Sequence, residues 1–288
     1  LGSLGAMFLG ERLPRRATFT IPEDANSWGL QLITNAEPIS VEVSKTGRQE
    51  VVRATGLSSD YISDGVLQVI SQRGRSNLEL SGGFLDVGRA LDEGLLDGDG
   101  AINSSLRLKF EQLLMPGGLD PLIDANLSVI GDGKGATVVA GQVGKGVTLS
   151  LTLPDDGPLK LVSANGGELL RMLGIVEDAK GGRLDASINN TSNGISGNVV
   201  LQDVHVTKMP VFLRLLSVAS LQGLADGLQG RGVRFDEVRI PFEAEDGKIV
   251  ILDALAKGPS IGLTIKGTAI GEKGNRILDL KGVLIPVY

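Results

Sequence analysis

The chain has no cysteine, one histidine and few aromatic residues, and each shortage excludes a class of protein. Without cysteine, its 288 residues offer no disulfide, no thiolate zinc site and no cysteine nucleophile. His205 alone cannot build a histidine-rich metal site, so no metal or other cofactor is predicted. Because aromatic residues make up only 3% of the chain, any core must be built from Leu, Ile and Val.

Basic clusters and long apolar runs are also missing. The net charge is −6, with 28 basic against 34 acidic residues, and no basic block is present, which argues against a nucleic-acid partner. No segment offers the roughly 18 consecutive apolar residues of a membrane span. The chain begins at Leu1 without the charged start of a signal peptide, so we expect a piece of a longer protein whose targeting or anchoring segment lies upstream.

Short runs of alternating apolar and polar residues recur along the whole chain. A period of two places the apolar members on one face of a half-buried strand. With 41 glycines available for turns, such runs predict many short strands. The clearest runs lie at 39–43, 78–80, 106–110, 147–153, 261–265 and 278–284.

Turn signals separate these runs and favour an antiparallel meander over βαβ units. Asp64-Gly65, Asn193-Gly194 and Asp246-Gly247 are hairpin-type dipeptides, and the segments 97–100 and 131–133 carry the same Asp/Gly chemistry. We therefore expect these five places to be hairpin turns.

Two or three short amphipathic helices interrupt the predicted strands. Leucines at helical spacing predict helices near 166–179 and 210–228, with a weaker helical turn at 87–96. Pro210 suits the start of the second of these. A proline-containing stretch after Met115 suggests a boundary between an N-terminal β segment, 1–115, and a C-terminal one, 116–288, with both parts expected in one continuous sheet.

No motif in the chain carries catalytic chemistry convincingly. Gly258-Pro259-Ser260-Ile261-Gly262 matches G-x-S-x-G, but the nucleophile elbow needs a helix after the serine, and a strand pattern follows here. Asp97 and Asp99 hint at a calcium loop, yet Ala101 and Leu108 stand where ligands are required. We therefore predict a protein that is not an enzyme.

Three stretches of the C-terminal half carry a family resemblance. GGELLRMLGIVEDAKGGRLDASI (166–188) is a Leu-rich helix, a Gly-Gly and a strand, and 209–251 runs from a Leu/Ser/Ala helix through a Gly-rich turn to Pro241-Phe242. GPSIGLTIKGTAI (258–270) and LDLKGVLIPVY (278–288) complete the set. In order and spacing they resemble the AsmA-like C-terminal region of large Gram-negative envelope proteins of the YhdP type, related to TamB. The match is good over residues 160–288.

The resemblance implies a function in the cell envelope. Such proteins are anchored in the inner membrane, extend through the periplasm as a long curved antiparallel sheet with an open apolar groove, and pass phospholipid acyl chains between the inner and outer membranes. The expected partners are thus phospholipid acyl chains and, through parts outside this chain, both membranes. The residues predicted to contact lipid are Val147, Leu149, Leu151, Ile261, Leu263, Ile265, Leu278 and Leu280 on strands, and Phe212, Leu215, Leu216 and Ala219 on the 210–228 helix.

Two alternatives stay open. The sheet is also compatible with a non-enzymatic envelope scaffold, or a platform for outer-membrane protein assembly, that acts by strand addition at an exposed edge. The other alternative is a hydrolase that uses Ser260 and His205.

Overall fold

The protein is described by a computed structural model that covers residues 16–21, 26–33, 38–73, 75–92, 104–131, 136–207, 232–259, 261–271 and 277–286. The chain divides into two compact units. The first comprises residues 1–117 and 121–146, and the second comprises 118–120 and 147–288. The predicted segments 1–115 and 116–288, and their continuity in one sheet, stay predictions.

The first unit is a β-sheet whose strands are hydrogen-bonded in chain order. Its strands are β1 (Arg16–Thr20), β2 (Ser27–Ile33), β3 (Ile39–Thr46), β4 (Gln49–Ser59), β5 (Ile62–Gln72), β6 (Arg75–Asp86), β7 (Ser104–Leu114), β8 (Leu122–Gly131) and β9 (Ala136–Val143). Each neighbouring pair is antiparallel except one.

The exception is the pair β6–β7, which is parallel. A parallel pair needs a crossover connection, and helix α1 (Val87–Asp92) begins this one directly after β6. The side chain of Asp86 accepts a hydrogen bond from the Arg89 backbone N–H at 3.0 Å, which caps the first turn of that helix. The expectation of an antiparallel meander without βαβ units was therefore wrong at this point.

The second unit is an antiparallel sheet with one helix against it. Its strands are β10 (Val147–Pro154), β11 (Leu159–Ser163), β12 (Ala179–Lys180), β13 (Arg183–Thr191), β14 (Gly194–Val206), β15 (Val233–Glu245), β16 (Lys248–Lys257), β17 (Ile261–Ile270) and β18 (Ile277–Pro286). They pair in the order β10–β11–β13–β14–β15–β16–β17–β18. The short β12 pairs with the far end of β14, so it continues the line of β13 across Gly181-Gly182.

Helix α2 (Gly166–Met172) lies between β11 and β12 and is shorter than the predicted span of 166–179. Gly174 has a φ of 65°, a backbone conformation that ends a helix at little cost for glycine. Ala179, the expected last helical residue, belongs instead to β12 and is buried. The predicted helix at 210–228 lies outside the described residues.

The hairpin signals were right at Asn193-Gly194 and Asp246-Gly247 and wrong at Asp64-Gly65, while 97–100 and 132–133 lie outside the described residues. At Asp246-Gly247 both residues have positive φ, 45° and 74°, as a two-residue primed turn between β15 and β16 requires. Asp64-Gly65, in contrast, lies inside β5, where the register to β4 shifts. Asp64 has a φ of 50°, so this dipeptide makes a bulge, and the turn of that hairpin is formed by Asp60 and Tyr61.

The predicted fold class is confirmed: the protein is mainly β, the sheet of each unit is open and almost wholly antiparallel, and the described helices are short. All six alternating runs fall in strands, namely β3, β6, β7, β10, β17 and β18. In the second unit a cluster of buried side chains on β12–β17 forms the core, and it includes Leu184, Leu201, Val204, Phe235 and Ile261.

Candidate apolar binding face

One face of the second unit is apolar from its first strand to its last. Residues directly opposite each other in a sheet point to the same side, so the registers define rows of side chains across the strands. The side chains on this side are mostly aliphatic, with two phenylalanines, glycine and few hydroxyls. One row is Leu151, Leu161, Ala186, Val199 and Ile240, and the next is Leu184, Leu201, Val238, Ala256, Leu263 and Leu284. We call this surface the apolar face of the second unit.

The opposite side of the same sheet carries the charged residues, together with some aliphatic ones. A row there contains Lys160, Ser187 and Asn198, and a neighbouring row contains Asp185 and Arg239 along with Val200 and Leu255. Arg183 donates to Asp185 at 2.8 Å, and Arg239 donates to Glu237 at 3.0 Å. The hydrogen bond to Asp185, with the attraction between the two charges, raises the pKa of Arg183.

The first unit has the same two-sided organisation. Its apolar face contains the row Phe19, Leu30, Val41, Ala54, Leu67, Leu80, Leu108 and Leu127. Its polar face contains the row Glu42, Arg53, Gln68, Glu79, Arg107 and Ser128. Each unit is therefore a sheet with one side suited to water and one side suited to apolar material.

Helix α2 covers part of the apolar face of the second unit. A Cβ built on Gly166 would lie 2.6 Å from the Leu184 Cβ and 3.1 Å from the Leu201 Cδ2, so the start of the helix rests directly on that row. Leu169 is fully buried and Leu170 packs on the core cluster. Glu168 accepts two hydrogen bonds from the Gly181 N–H, at 3.0 and 2.9 Å, and ties the helix to the break between β12 and β13.

Farther along the strands the apolar face is only half-buried. The row Ile188, Gly197, Phe242, Ile251, Gly267 and Leu280 contains no buried residue. A Cβ on Gly197 would lie 2.8 Å from the Phe242 ring, so that ring lies over the glycine. Within the described part of the chain this row therefore keeps accessible apolar surface.

The predicted lipid-contact residues of the strands fall into two groups. Ile261 and Leu263 are only 1% and 5% exposed and belong to the core cluster, against which Ile265 packs. Val147 is buried at the start of β10. Four of the predicted residues therefore pack inside the sheet unit.

The remaining strand residues are more accessible. Leu149 and Leu151 in β10, and Leu280 in β18, are half-buried on the apolar face. Leu278 of β18 lies opposite Ala269 of β17, and this register places it on the apolar face. The side chain of Leu278 is outside the described residues. Phe212, Leu215, Leu216 and Ala219 also lie outside the described part.

Sequence patterns did not single out the half-buried row through Phe242 and Ile251. Both residues lie in β15 or β16 beside register shifts, where alternation breaks. The signal that was available is Pro241-Phe242 within an alternating run, because proline in a strand often accompanies an irregularity.

The strand that follows Ser260 differs from the helix that a nucleophile elbow requires. The residue after Ser260, Ile261, begins strand β17. His205 is a half-buried residue of β14, opposite Lys180 on β12 and Arg234 on β15. Ser260 itself is outside the described residues.

Neither metal clusters nor membrane-spanning helices occur in the described ranges. No group of three or more His, Asp or Glu side chains there is placed to hold a metal ion. None of the helices among those residues combines the length and apolar character of a membrane span.

Comparison with known proteins gives no relative for this chain. No protein-family model, curated protein or solved structure matches it. Its function is therefore to be sought in the two-sided sheets themselves.

Proposed function

We propose that this chain is a segment of a periplasmic, bridge-like lipid-transfer protein. Its apolar sheet faces carry phospholipid acyl chains between the inner and outer membranes, and a segment outside this chain anchors it to the inner membrane. The observation that carries the proposal is the unbroken apolar face, half-buried at the row through Ile188, Phe242, Ile251 and Leu280. The location in the periplasm rests on the AsmA-like resemblance alone.

The physical support is that an apolar sheet face needs a cover. In the second unit α2 supplies one over Leu184 and Leu201, but the row through Phe242 stays half-exposed among the described residues. An acyl chain is a suitable cover, because each buried methylene contributes about 0.8 kcal/mol. Eight methylenes contribute roughly 6 kcal/mol before the entropy cost of binding, enough for useful affinity without a polar site.

The charge distribution favours acyl chains over headgroups as the bound part. The named rows of the apolar faces contain no charged residue, whereas Lys, Arg, Asp and Glu lie on the opposite sides. A charged headgroup on the apolar face would lose its hydration without a partner, which is strongly unfavourable. The chain accordingly holds lipid tails while headgroups stay in water, and it discriminates weakly between phospholipid classes.

Lipid analysis of the purified protein tests this proposal. We expect phospholipid to copurify, detected by mass spectrometry after organic extraction, and delipidated protein to take up a phospholipid labelled on its acyl chain. A water-soluble short-chain analogue with the same headgroup is the control and should not compete. Protein that carries no lipid and takes up no labelled lipid would refute the proposal.

The second candidate is a scaffold or assembly platform that binds a partner strand. Strand β1 is exposed along its whole length, and among the described residues its register is with β2 alone, so its other edge is the place where this candidate function would add a strand. Ala17→Pro would remove a donor from β1 and should abolish capture of a strand peptide from an outer-membrane protein. Unchanged capture by that variant would reject this candidate.

A further inference from the structure

Strand β18 carries accessible apolar side chains on both sides of the sheet, which is unusual for a strand with a described register on one edge alone. On the polar side of the sheet Ile277, Val283 and Ile285 are 73%, 61% and 59% exposed. On the apolar side Leu280 and Leu284 are half-buried. Within the described residues β18 has a register only with β17. Edge strands usually carry features that prevent pairing, and in β18 the charged residues are limited to one aspartate and one lysine.

These two charges are placed for pairing with an identical strand. A two-fold axis normal to the sheet brings β18 antiparallel to its copy and keeps the same face up in both. With the axis at Leu280, Asp279 of each copy lies opposite Lys281 of the other, and Ile277 lies opposite Val283. Opposite charges and apolar pairs thus coincide in one register.

The neighbouring registers lack this complementarity. An axis at Asp279 or at Lys281 places like charges opposite each other. An axis two residues away from Leu280 in either direction places Asp279 opposite an isoleucine, Ile277 or Ile285. The sequence of β18 therefore selects the register centred on Leu280.

The surroundings of Lys281 support the same register. On β17 the residue opposite Lys281 is Lys266, a like charge on the polar side. Neither Lys281 nor Asp279 makes an ion pair within the described part of the chain. An aspartate from a second copy would lie beside Lys281 on the edge of β18 that faces away from β17, and it would offset the repulsion.

We propose that β18 binds β18 of a second copy of this chain, antiparallel and centred on Leu280. The pairing gives hydrogen-bond partners to the edge of β18 that has no register among the described residues, covers Ile277 and Val283, and joins the apolar faces of the two copies into one surface because both face the same way. It does not depend on lipid binding and stands or falls separately from the proposed function.

Charge reversal with mixing tests the pairing. We expect the wild-type chain to sediment as a concentration-dependent dimer, and Asp279→Lys or Lys281→Asp alone to raise the dimer dissociation constant about tenfold or more. The double variant Asp279→Lys/Lys281→Asp restores the opposite charges and should dimerise again. Mixing the two single variants should give a heterodimer, because each then meets the charge that it lacks.

A cysteine cross-link tests the register independently. The chain has no cysteine, so Leu280→Cys introduces one thiol directly opposite its copy, at a separation that a disulfide can bridge. We expect cross-linked dimer on mild oxidation, and none from Ser196→Cys, which lies in β14 away from the edge. Circular dichroism confirms that each variant is folded.

Three results would overturn the pairing: a wild-type chain that stays monomeric at all concentrations, a dimer indifferent to the charge reversals, or Leu280→Cys that does not cross-link. Capture of an added foreign strand by a monomeric wild-type chain would assign the edge to another partner.

Discussion

Lys109 on β7 donates a hydrogen bond from its Nζ to Glu79 Oε1 on β6 at 2.9 Å, on the side of the sheet opposite to the Leu80–Leu108 pair. These two strands form the one parallel pair of the first unit. The same two strands are thus joined on both sides of the sheet. The Lys109–Glu79 ion pair lies on the side in contact with water, and the Leu80–Leu108 pair lies in the apolar face.

Neutralising that ion pair should cost little stability. The side chains of Lys109 and Glu79 are 43% and 34% exposed, and exposed pairs contribute about 0.2–1 kcal/mol. We expect Lys109→Met to lower the free energy of unfolding by less than about 1 kcal/mol, measured with urea, and the loss to vanish in high salt. Leu108→Ala, on the buried side, should cost about 2–5 kcal/mol at either salt concentration.

The contact between α2 and β12 depends on the absence of a side chain at Gly167. A Cβ there would lie 2.5 Å from the Lys180 N and within 2.8 Å of its Cα and C, so backbone would have to move. We expect Gly167→Ala to destabilise the second unit by about 1–3 kcal/mol, although alanine favours a helix in isolation. The measurement is the urea midpoint.

Gly131, the last residue of β8, provides the matched control. A Cβ on Gly131 meets nothing within 4 Å, and its φ is not positive. Gly131→Ala should change the stability by less than about 0.5 kcal/mol. Equal effects at the two glycines would contradict the close docking of α2.

Local patterns predicted the strands well because alternation is a property of neighbouring residues. The runs in β10 and β17 are examples, and both lie in strands. The parallel pairing of β6 with β7 was missed, because it depends on a crossover between distant residues. At Asp64-Gly65 the chemistry of a turn and of a bulge is the same, and only the register to β4 separates them.

The role of each alternating residue was harder to predict than its strand. Leu151 and Leu263 have the same pattern around them, yet Leu151 is half-buried and Leu263 lies in the core. The difference comes from neighbouring strands and from what covers the sheet, neither of which is encoded in the local sequence. Alternation predicts which residues lie on the apolar side of a strand, but it does not predict how exposed each of them is.

Trp28 should report lipid on the apolar face of the first unit. It is the one tryptophan of the chain, it is 39% exposed, and its ring stacks on Phe19 with centroids 5.5 Å apart. By register with Val43 it belongs to the apolar side. We expect the fluorescence emission of Trp28 to shift to shorter wavelength on lipid uptake. We also expect that emission to be quenched by phospholipid brominated on the acyl chain.

The variant Trp28→Phe controls for fluorescence from the two tyrosines. It should lose the blue shift and the quenching while it still takes up lipid. Saturating uptake of brominated lipid without any quenching of Trp28 would show that this end of the first unit does not contact acyl chains.

The sharpest test of the lipid face compares asparagine substitutions at two adjacent residues within β10. Leu151 lies on the apolar side opposite Leu161, and Thr152 lies on the polar side opposite Lys160. Both are half-buried, so asparagine at either position meets similar exposure and the same strand backbone. Leu151→Asn removes about 2 kcal/mol of apolar contact and should weaken phospholipid binding by roughly 30-fold.

Thr152→Asn should leave phospholipid binding within about twofold of the wild type, because its side chain faces water rather than the acyl chain. Equilibrium binding of a fluorescent phospholipid measures both variants, and thermal unfolding verifies that each is folded. If the two variants lost affinity equally, binding would not distinguish the sides of the sheet. Acyl chains would then not lie along the apolar face, because contact with that face alone must lower the phospholipid affinity of Leu151→Asn more than that of Thr152→Asn.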